Sequence, residues 1–286
     1  MKGVKRLLDK FYNEYNFKEK IRHDPIELPH RYQRPEDVEV AGFIASCFAY
    51  GRVDLFKPVI EKILSMMGCS PYDFLREFKA KQERLFLGIK YRFNENKDII
   101  CLLYITGELL RRHKCIENAF KDFYNRDNAD IGHALTGFID YILGIDTSEV
   151  YGSNIRPNGL IQFFPSPTKG SACKRMNLFL RWMIRDKDID FGIWKGIPKN
   201  KLIIPLDTHI ARISKCLGFT KRSSQDWKMA VEITDALKKL DPEDPVKYDF
   251  AMCHYGVSGF CGPERDKNTN CDRCLLKSGG NRVQGI

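Results

Sequence analysis

The sequence of 286 residues has no apolar run that approaches the roughly 18 residues of a membrane-spanning helix. Asp9, Glu14 and Glu19 fall among its first residues, so we expect neither a signal peptide nor a transit peptide. No low-complexity segment and no convincing strand pattern is present, and 43% of the residues are hydrophobic. These absences exclude membrane, collagen-like and disordered proteins and predict a folded cytoplasmic protein.

The charge and the cysteine content narrow the class of protein further. Basic residues outnumber acidic ones by 47 to 37, and the net charge of +10 suggests a polyanionic partner, although it also suits a merely basic enzyme. The cysteines are scattered up to Cys216 and then concentrate near the C-terminus, which argues against a secreted disulfide framework. The last four, Cys253, Cys261, Cys271 and Cys274, follow C-x7-C-x9-C-x2-C, a pattern typical of thiolate ligands of zinc or an iron–sulfur cluster.

Apolar residues recur at intervals of three and four positions, which predicts helices. Pro35 and the pair Ser70-Pro71 are typical of helix starts, and Gly218 is typical of a helix end. We therefore predict an all-α fold. The predicted helices cover residues 4–17, 38–50, 98–110, 131–143, 173–184, 210–217, 227–238 and 245–253.

The segment from Val150 to Arg185 contains no acidic residue. On a helix, Lys174, Arg181 and Arg185 fall within roughly 40° of one another, with apolar residues on much of the other side. Such a basic ridge suits a phosphate backbone, and a plain solvated face is the alternative. Lys174, near the start of this helix, is a candidate nucleophile.

Asp207, in the sequence PLDTHI, stands directly before a predicted helix. Its simplest interpretation is an N-cap. A carboxylate fixed in this way also stabilises a developing positive charge, so capping and catalysis do not exclude each other. Arg212 on the same helix is interpreted as a phosphate contact or a member of an ion pair.

The stretch LDTHIARISKCLGF resembles the V-D-T-H-x-x-R-x-x-x-R-L-G segment of the helix-hairpin-helix DNA glycosylases, the endonuclease III superfamily. The chain is more similar still to a bacterial family of that superfamily known mainly as a domain of unknown function. This similarity covers most of the chain and is carried by the segments DPIELPHRYQRPEDVEVAGFIASCFAYGR, GSACKRMNLFLRWMIRDKDIDFGIW, PLDTHIARI and DPVKYDFAMCHYG.

The resemblance implies two helical lobes with a deep pocket between them. In that pocket a lysine attacks the sugar C1′ of an extruded nucleotide and forms a Schiff base, while an aspartate assists. Asp207 matches the aspartate and Lys174 is the best candidate lysine, with Lys169 and Lys201 as rivals. The implied lobes are a central helical bundle with an aberrant hairpin, 37–190, and a C-terminal lobe with the LDTH helix and the four-cysteine tail, 191–286, against which residues 1–36 pack.

Three departures from the superfamily bear on the substrate. FPSPTKGSACKR replaces the L-P-G-V-G hairpin, and Cys216 stands in place of the second motif arginine. The separation of 33 residues between Lys174 and Asp207 is longer than in endonuclease III and similar to that of archaeal 8-oxoguanine glycosylases. The resemblance therefore makes 8-oxoguanine the leading substrate, and it makes a [4Fe–4S] cluster the leading cofactor, with zinc as the alternative.

The resemblance also implies which side chains meet DNA. We expect a monomeric, nucleoid-associated DNA repair glycosylase with AP-lyase activity, acting on duplex DNA that carries a damaged base or an abasic site. The alternatives are a non-catalytic nucleic-acid-binding protein on the same metal-stapled fold, and a glycosylase acting on RNA or a free nucleoside. Arg52, Lys169, Arg175, Arg181, Arg185 and Arg212 are the expected DNA contacts, and Phe48, Tyr50, Trp182 and Trp194 the expected walls of the base pocket, with core packing as the alternative for these aromatic side chains.

Overall fold

The computed structural model describes residues 2–258 and Leu276. Within residues 2–258 the chain is mostly helical and forms no β-strand, which confirms the predicted all-α class. No helix in this part of the chain is long and apolar enough to span a bilayer. The helices are α1 (Lys2–Asn13), α2 (Phe17–Lys20), α3 (Pro35–Phe48), α4 (Val53–Met66), α5 (Pro71–Glu77), α6 (Asn96–His113), α7 (Ile116–Lys121), α8 (Gly132–Gly144), α9 (Ser148–Tyr151), α10 (Asn158–Phe163), α11 (Lys174–Ile184), α12 (Thr208–Cys216), α13 (Trp227–Lys238) and α14 (Asp249–Val257).

The local helix signals are confirmed. Each of the eight predicted segments overlaps a helix, with ends that differ by a few residues. Ser70 caps α5 by accepting a hydrogen bond from the amide of Asp73 at 3.2 Å. Gly218 follows α12 with a φ of 73°, a left-handed conformation that glycine adopts without strain. The predicted segments omit α4 and the short helices α7, α9 and α10. Helix α4 contains Pro58 in its interior, where proline usually breaks a helix.

The centre of the molecule is the packing of α3 against α11. Residues 37–48 of α3 and 175–184 of α11 are buried without exception, so both helices are covered on all sides. Helices α12 and α14 pack together nearby, and they approach closely because Gly256 has no side chain: a Cβ there would lie 2.5 Å from Cβ of His209. The two-lobe division predicted from the resemblance stays a prediction.

Candidate functional site

A cleft of about 1030 Å³ lies where the beginnings of α11 and α12, the α3–α4 connection and α14 meet. Lys174, the first residue of α11, and Asp207, directly before α12, both line it. The rival lysines lie elsewhere. Nζ of Lys201 donates to the carbonyl of Asn128 at 2.5 Å, and Lys169 is exposed beside a separate cavity of about 290 Å³. The structure therefore brings together the lysine and the aspartate that the sequence singled out.

The amine of Lys174 is held at the C-terminal end of α3. Its Nζ donates to the carbonyl oxygen of Ala49 at 3.2 Å. The neighbouring Arg175 is 8% exposed, donates to the carbonyls of Cys47, at 2.6 Å, and of Gln162, and covers one side of a tyrosine ring. Carbonyl groups at a helix C-terminus carry partial negative charge, so they attract both cations. These contacts anchor the start of α11 and place the amine in the cleft.

Asp207 uses its two carboxylate oxygens differently. Oδ1 accepts hydrogen bonds from the amides of His209, at 2.9 Å, and Ile210, at 2.8 Å, which confirms the predicted N-cap. Oδ2 accepts from the thiol of Cys253 at 3.3 Å. Since both oxygens are held, the carboxylate is fixed in the wall of the cleft while it caps α12.

The cleft contains two further residues near Asp207, Asp249 and Cys253. The sequence analysis did not predict that either would lie beside Asp207. Asp249 is 2% exposed and forms an ion pair with Arg181. Burial raises the pKa of Asp249 to about 6 against the opposing charge of Arg181, and the negative charge of Asp207 adds to the rise. Burial likewise raises the pKa of the Cys253 thiol well above its ordinary value, and Asp207 contributes again. The wall beside Asp207 therefore combines a second acid with a protonated thiol.

The predicted basic ridge is wrong for its two main members. Arg181 and Arg185 are each only 2% exposed, so neither presents its charge at the surface. Arg181 pairs with Asp190 at 3.2 Å and with Asp249, while Arg185 pairs with Asp190 at 2.9 Å and with Asp244 at 2.8 Å. Buried charges are tolerated when they are paired in this way. The arginines hold α11 to the following loop and to α14, and they are not available to bind a duplex.

Three of the four predicted pocket aromatics are core residues instead. Phe48 and Trp182 are fully buried, and Trp194 is 2% exposed. The indole Nε1 of Trp194 donates to Oε1 of Glu39 at 2.7 Å. Only Tyr50 of the four lines the cleft. The error has a simple cause, because aromatic side chains next to functional segments are also the largest available core fillers.

We expect Trp194→Phe to lower the free energy of unfolding by about 1–2 kcal/mol, because Oε1 of the buried Glu39 loses one of its two donors and keeps only the amide of Glu117 at 2.8 Å. Urea unfolding measures this change. The affinity for any nucleic acid is expected to stay at the parent value. A variant of unchanged stability with weaker binding would return Trp194 to the base pocket.

The remaining expected DNA contacts stay predictions. Arg52 lines the edge of the cleft with a side chain that is 78% exposed and paired with Asp54 at 2.6 Å. One Nη of Arg212 lies 3.2 Å from Nδ1 of His209 and 3.4 Å from the carbonyl oxygen of Gly256. Lys169 is exposed, whereas Arg175 is buried with its guanidinium on backbone carbonyls.

The predicted metal site is testable here at one ligand only, because Cys261, Cys271 and Cys274 lie outside the described residues. At Cys253 the surroundings do not fit a thiolate ligand. Its sulfur lies beside the Asp207 carboxylate as a hydrogen-bond donor, and the carboxylate disfavours the negative charge that a metal-bound thiolate carries. The four-cysteine site stays a prediction.

The comparisons with known proteins give one finding. A family model described as a protein of unknown function, DUF2400, matches residues 24–258. No curated protein and no solved structure matches the chain. The matched range contains Lys174, Asp207, Asp249 and Cys253, which together line the cleft.

Proposed function

The chain belongs to DUF2400, a family of proteins of unknown function, and from its cleft we propose that it is a DNA repair glycosylase with AP-lyase activity. The observation that carries the proposal is that Lys174 and Asp207, 33 residues apart in the sequence, line the same cleft. The similarity of LDTHIARISKCLGF to the endonuclease III superfamily motif supports the same reading. The cleft volume of about 1030 Å³ leaves room for an extruded nucleotide.

The proposed reaction uses the lysine as a covalent nucleophile. After losing a proton, Nζ of Lys174 attacks C1′ of the extruded nucleotide while the N-glycosidic bond breaks. The bonding electron pair leaves with the base, which then takes up a proton. The nitrogen, now joined to C1′, loses a proton, and its lone pair expels the ring oxygen O4′, which takes up a proton as the C1′–O4′ bond breaks. This ring opening leaves C1′ and the nitrogen joined by a double bond as a protonated Schiff base. Loss of a C2′ proton with departure of the 3′ phosphate then breaks the strand.

Asp207 has the charge and the position to assist both parts of this reaction. Among the described residues, Oδ2 accepts one hydrogen bond, from the Cys253 thiol. A carboxylate oxygen has room for more than one such bond, so Oδ2 can also accept a proton from the lysine. The sugar gains positive charge as the base departs, and the negative carboxylate, already fixed in place, stabilises that charge without rearranging. Asp249, the second carboxyl group of the wall, adds negative charge above about pH 6.

We propose 8-oxoguanine as the leading substrate and a [4Fe–4S] cluster, or zinc, as a structural cofactor of the C-terminal cysteines. Both proposals depend on the superfamily resemblance and the cysteine spacing. The cluster takes no part in the reaction as proposed. The described position of Cys253, whose thiol donates to Asp207, does not suit the fourth ligand of such a cluster.

Two substitutions at Cys253 separate a metal ligand from a partner of Asp207. We expect Cys253→Ala to lower base excision about tenfold, because Oδ2 of Asp207 loses its donor. Cys253→Ser restores a donor without restoring a thiolate, so we expect it to keep most of the activity. Iron and zinc per chain, measured by elemental analysis, are expected to match the parent in both variants. Loss of metal in both, with equal loss of excision, would make Cys253 a ligand.

The first experiment is borohydride trapping on duplex oligonucleotides that contain 8-oxoguanine or an abasic site. Borohydride reduces a Schiff base to a stable amine, so a covalent protein–DNA adduct reports the proposed intermediate directly. Adducts on both duplexes support a bifunctional glycosylase of 8-oxoguanine, and an adduct on the abasic duplex alone supports the lyase and redirects the search to other lesions. Salt-sensitive binding with no adduct on either duplex would favour the non-catalytic alternative.

A further inference from the structure

The surface beside the cleft carries a rigid turn, residues 91–94, that the sequence analysis did not consider. Tyr91 and Asn94 exchange two backbone hydrogen bonds, of 3.0 and 2.9 Å, which close the turn. Asn94 is fully buried, and its Nδ2 donates to the carbonyl of Gly159 at 2.6 Å. The tip of the turn is Arg92 and Phe93. A turn fixed at both ends presents its tip in one place.

The tip of this turn adjoins the wall of the cleft. The hydroxyl of Tyr91 donates to the carbonyl of Tyr50 at 2.6 Å, and the hydroxyl of Tyr50 returns a hydrogen bond to the carbonyl of Tyr91 at 3.2 Å. At Gly51, which has a φ of 83°, an added Cβ would lie 2.5 Å from Nη1 of Arg92. Tyr50 and Gly51 both line the cleft, so the 91–94 turn lies directly at its edge.

The composition of the tip is unusual for a surface turn. Phe93 is 66% exposed, the highest value among the large apolar side chains described. The guanidinium of Arg92 lies 5.7 Å from the ring centroid of Tyr50 and 5.6 Å from that of Phe93. Arg92 also has a φ of 50°, a left-handed conformation that costs free energy in a residue with a side chain. Within the described part of the chain no carboxylate lies within ion-pair distance of Arg92 or of the exposed Lys90.

We propose that the 91–94 turn inserts the Phe93 ring into the DNA duplex at the position vacated by the extruded nucleotide, with Arg92 and Arg52 on the flanking phosphates. This inference rests on the proposed function. Extruding a nucleotide costs its stacking energy, and an apolar side chain that enters the stack recovers part of that cost. A DNA duplex is complementary to this surface, because its phosphates pair with the guanidinium groups and its bases stack on the Phe93 ring.

The tip replaces the buried ridge as the DNA-contacting element of the chain. Arg181 and Arg185 are closed inside ion pairs, whereas Arg52 lines the cleft and Arg92 lies beside the lining residue Gly51, and both are exposed. The tip requires no rearrangement before it binds, so its affinity is not reduced by the cost of ordering a loop.

The test uses the full chain and a duplex that contains a tetrahydrofuran abasic analogue flanked by 2-aminopurine. The analogue has no C1′ hydroxyl and forms no Schiff base, so binding and unstacking are measured without turnover. With the parent chain we expect the 2-aminopurine fluorescence to rise on binding. Phe93→Ala is expected to abolish most of that rise and to weaken binding about tenfold, the size of one lost aromatic stacking contact. Phe93→Leu retains an apolar side chain and is expected to keep most of the signal.

Leu87→Ala is the matched control, because Leu87 is 60% exposed on the segment that precedes the turn. It is expected to behave as the parent, and so are the melting temperatures of all three variants. Equal fluorescence and affinity for the parent and Phe93→Ala would overturn the insertion while leaving the glycosylase proposal intact. Phe93-dependent unstacking by a chain that gives no borohydride adduct on any duplex would support the insertion and overturn the glycosylase. A parent chain that binds no duplex would overturn both.

Discussion

Replacing Lys174 by Gln is expected to abolish the borohydride adduct on the abasic and 8-oxoguanine duplexes and to lower base excision by on the order of 10³-fold or more. Gln has no amine that forms a Schiff base, and it keeps a polar side chain at the position where Nζ contacts the Ala49 carbonyl in the parent. Affinity for an uncleavable duplex is expected to change little, because the cleft keeps Arg52 at its edge. Gel separation of the trapped adduct measures the first effect and single-turnover kinetics the second.

Lys169→Gln and Lys201→Gln are the controls for this result, since both were candidate nucleophiles on sequence grounds. The structure places Lys201 on the carbonyl of Asn128 and Lys169 outside the cleft. Both variants are expected to give the parent amount of adduct. Trapping that survives in Lys174→Gln and disappears in either control would move the nucleophile and, with it, the site.

The helices were predictable because their signals are local. Spacing of apolar residues, the Ser70 cap and the Gly218 terminus all act within one or two turns of the chain. The longest helix that was missed, α4, contains Pro58, and packing against neighbouring elements compensates for the hydrogen bond that proline removes. Local rules do not report such compensation.

The error at Arg181 and Arg185 shows where spacing stops being informative. The two residues do share a face of α11, as predicted, but helical spacing does not say what covers that face. The loop that follows α11 folds back onto the helix, where the amide of Phe191 donates to the carbonyl of Trp182 at 2.8 Å, and it brings Asp188 and Asp190 to the arginines. The segment that lacks acidic residues ends at Arg185, and Asp188 and Asp190, which pair with the arginines, follow within the next few residues.

Two of the four residues discussed in the wall of the cleft were predictable from the sequence. Lys174 and Asp207 were found through their motif, whereas Asp249 and Cys253 were not assigned to them. A local signal existed, because Asp249 and Cys253 are four residues apart and therefore share a face of α14. Which residue that face meets depends on the packing of α14 against α12, and that packing depends on Gly256. A tertiary contact of this kind has no counterpart in a single helix pattern.

Asp207→Asn is expected to lower base excision by about 10²–10⁴-fold while the fold stays close to the parent in stability. Asn caps a helix about as well as Asp, and its side-chain oxygen retains the hydrogen bonds from the amides of His209 and Ile210. The substitution therefore removes the negative charge and the proton-accepting oxygen that faces the Cys253 thiol, and little else. Single-turnover excision and urea unfolding, measured on the same preparation, separate the two roles.

Asp226→Asn is the matched control, because Asp226 caps α13 in the same way, accepting from the amide of Met229 at 2.8 Å, and does not line the cleft. It is expected to keep parent excision and to lose little stability with its ion pair to Arg222, because solvent screens a pair near the surface. If Asp207→Asn excised bases at the parent rate, Asp207 would be a helix cap and nothing more. The lysine would then need another proton acceptor, and Asp249, buried in the same wall with its pKa raised to about 6, would be the first residue to replace.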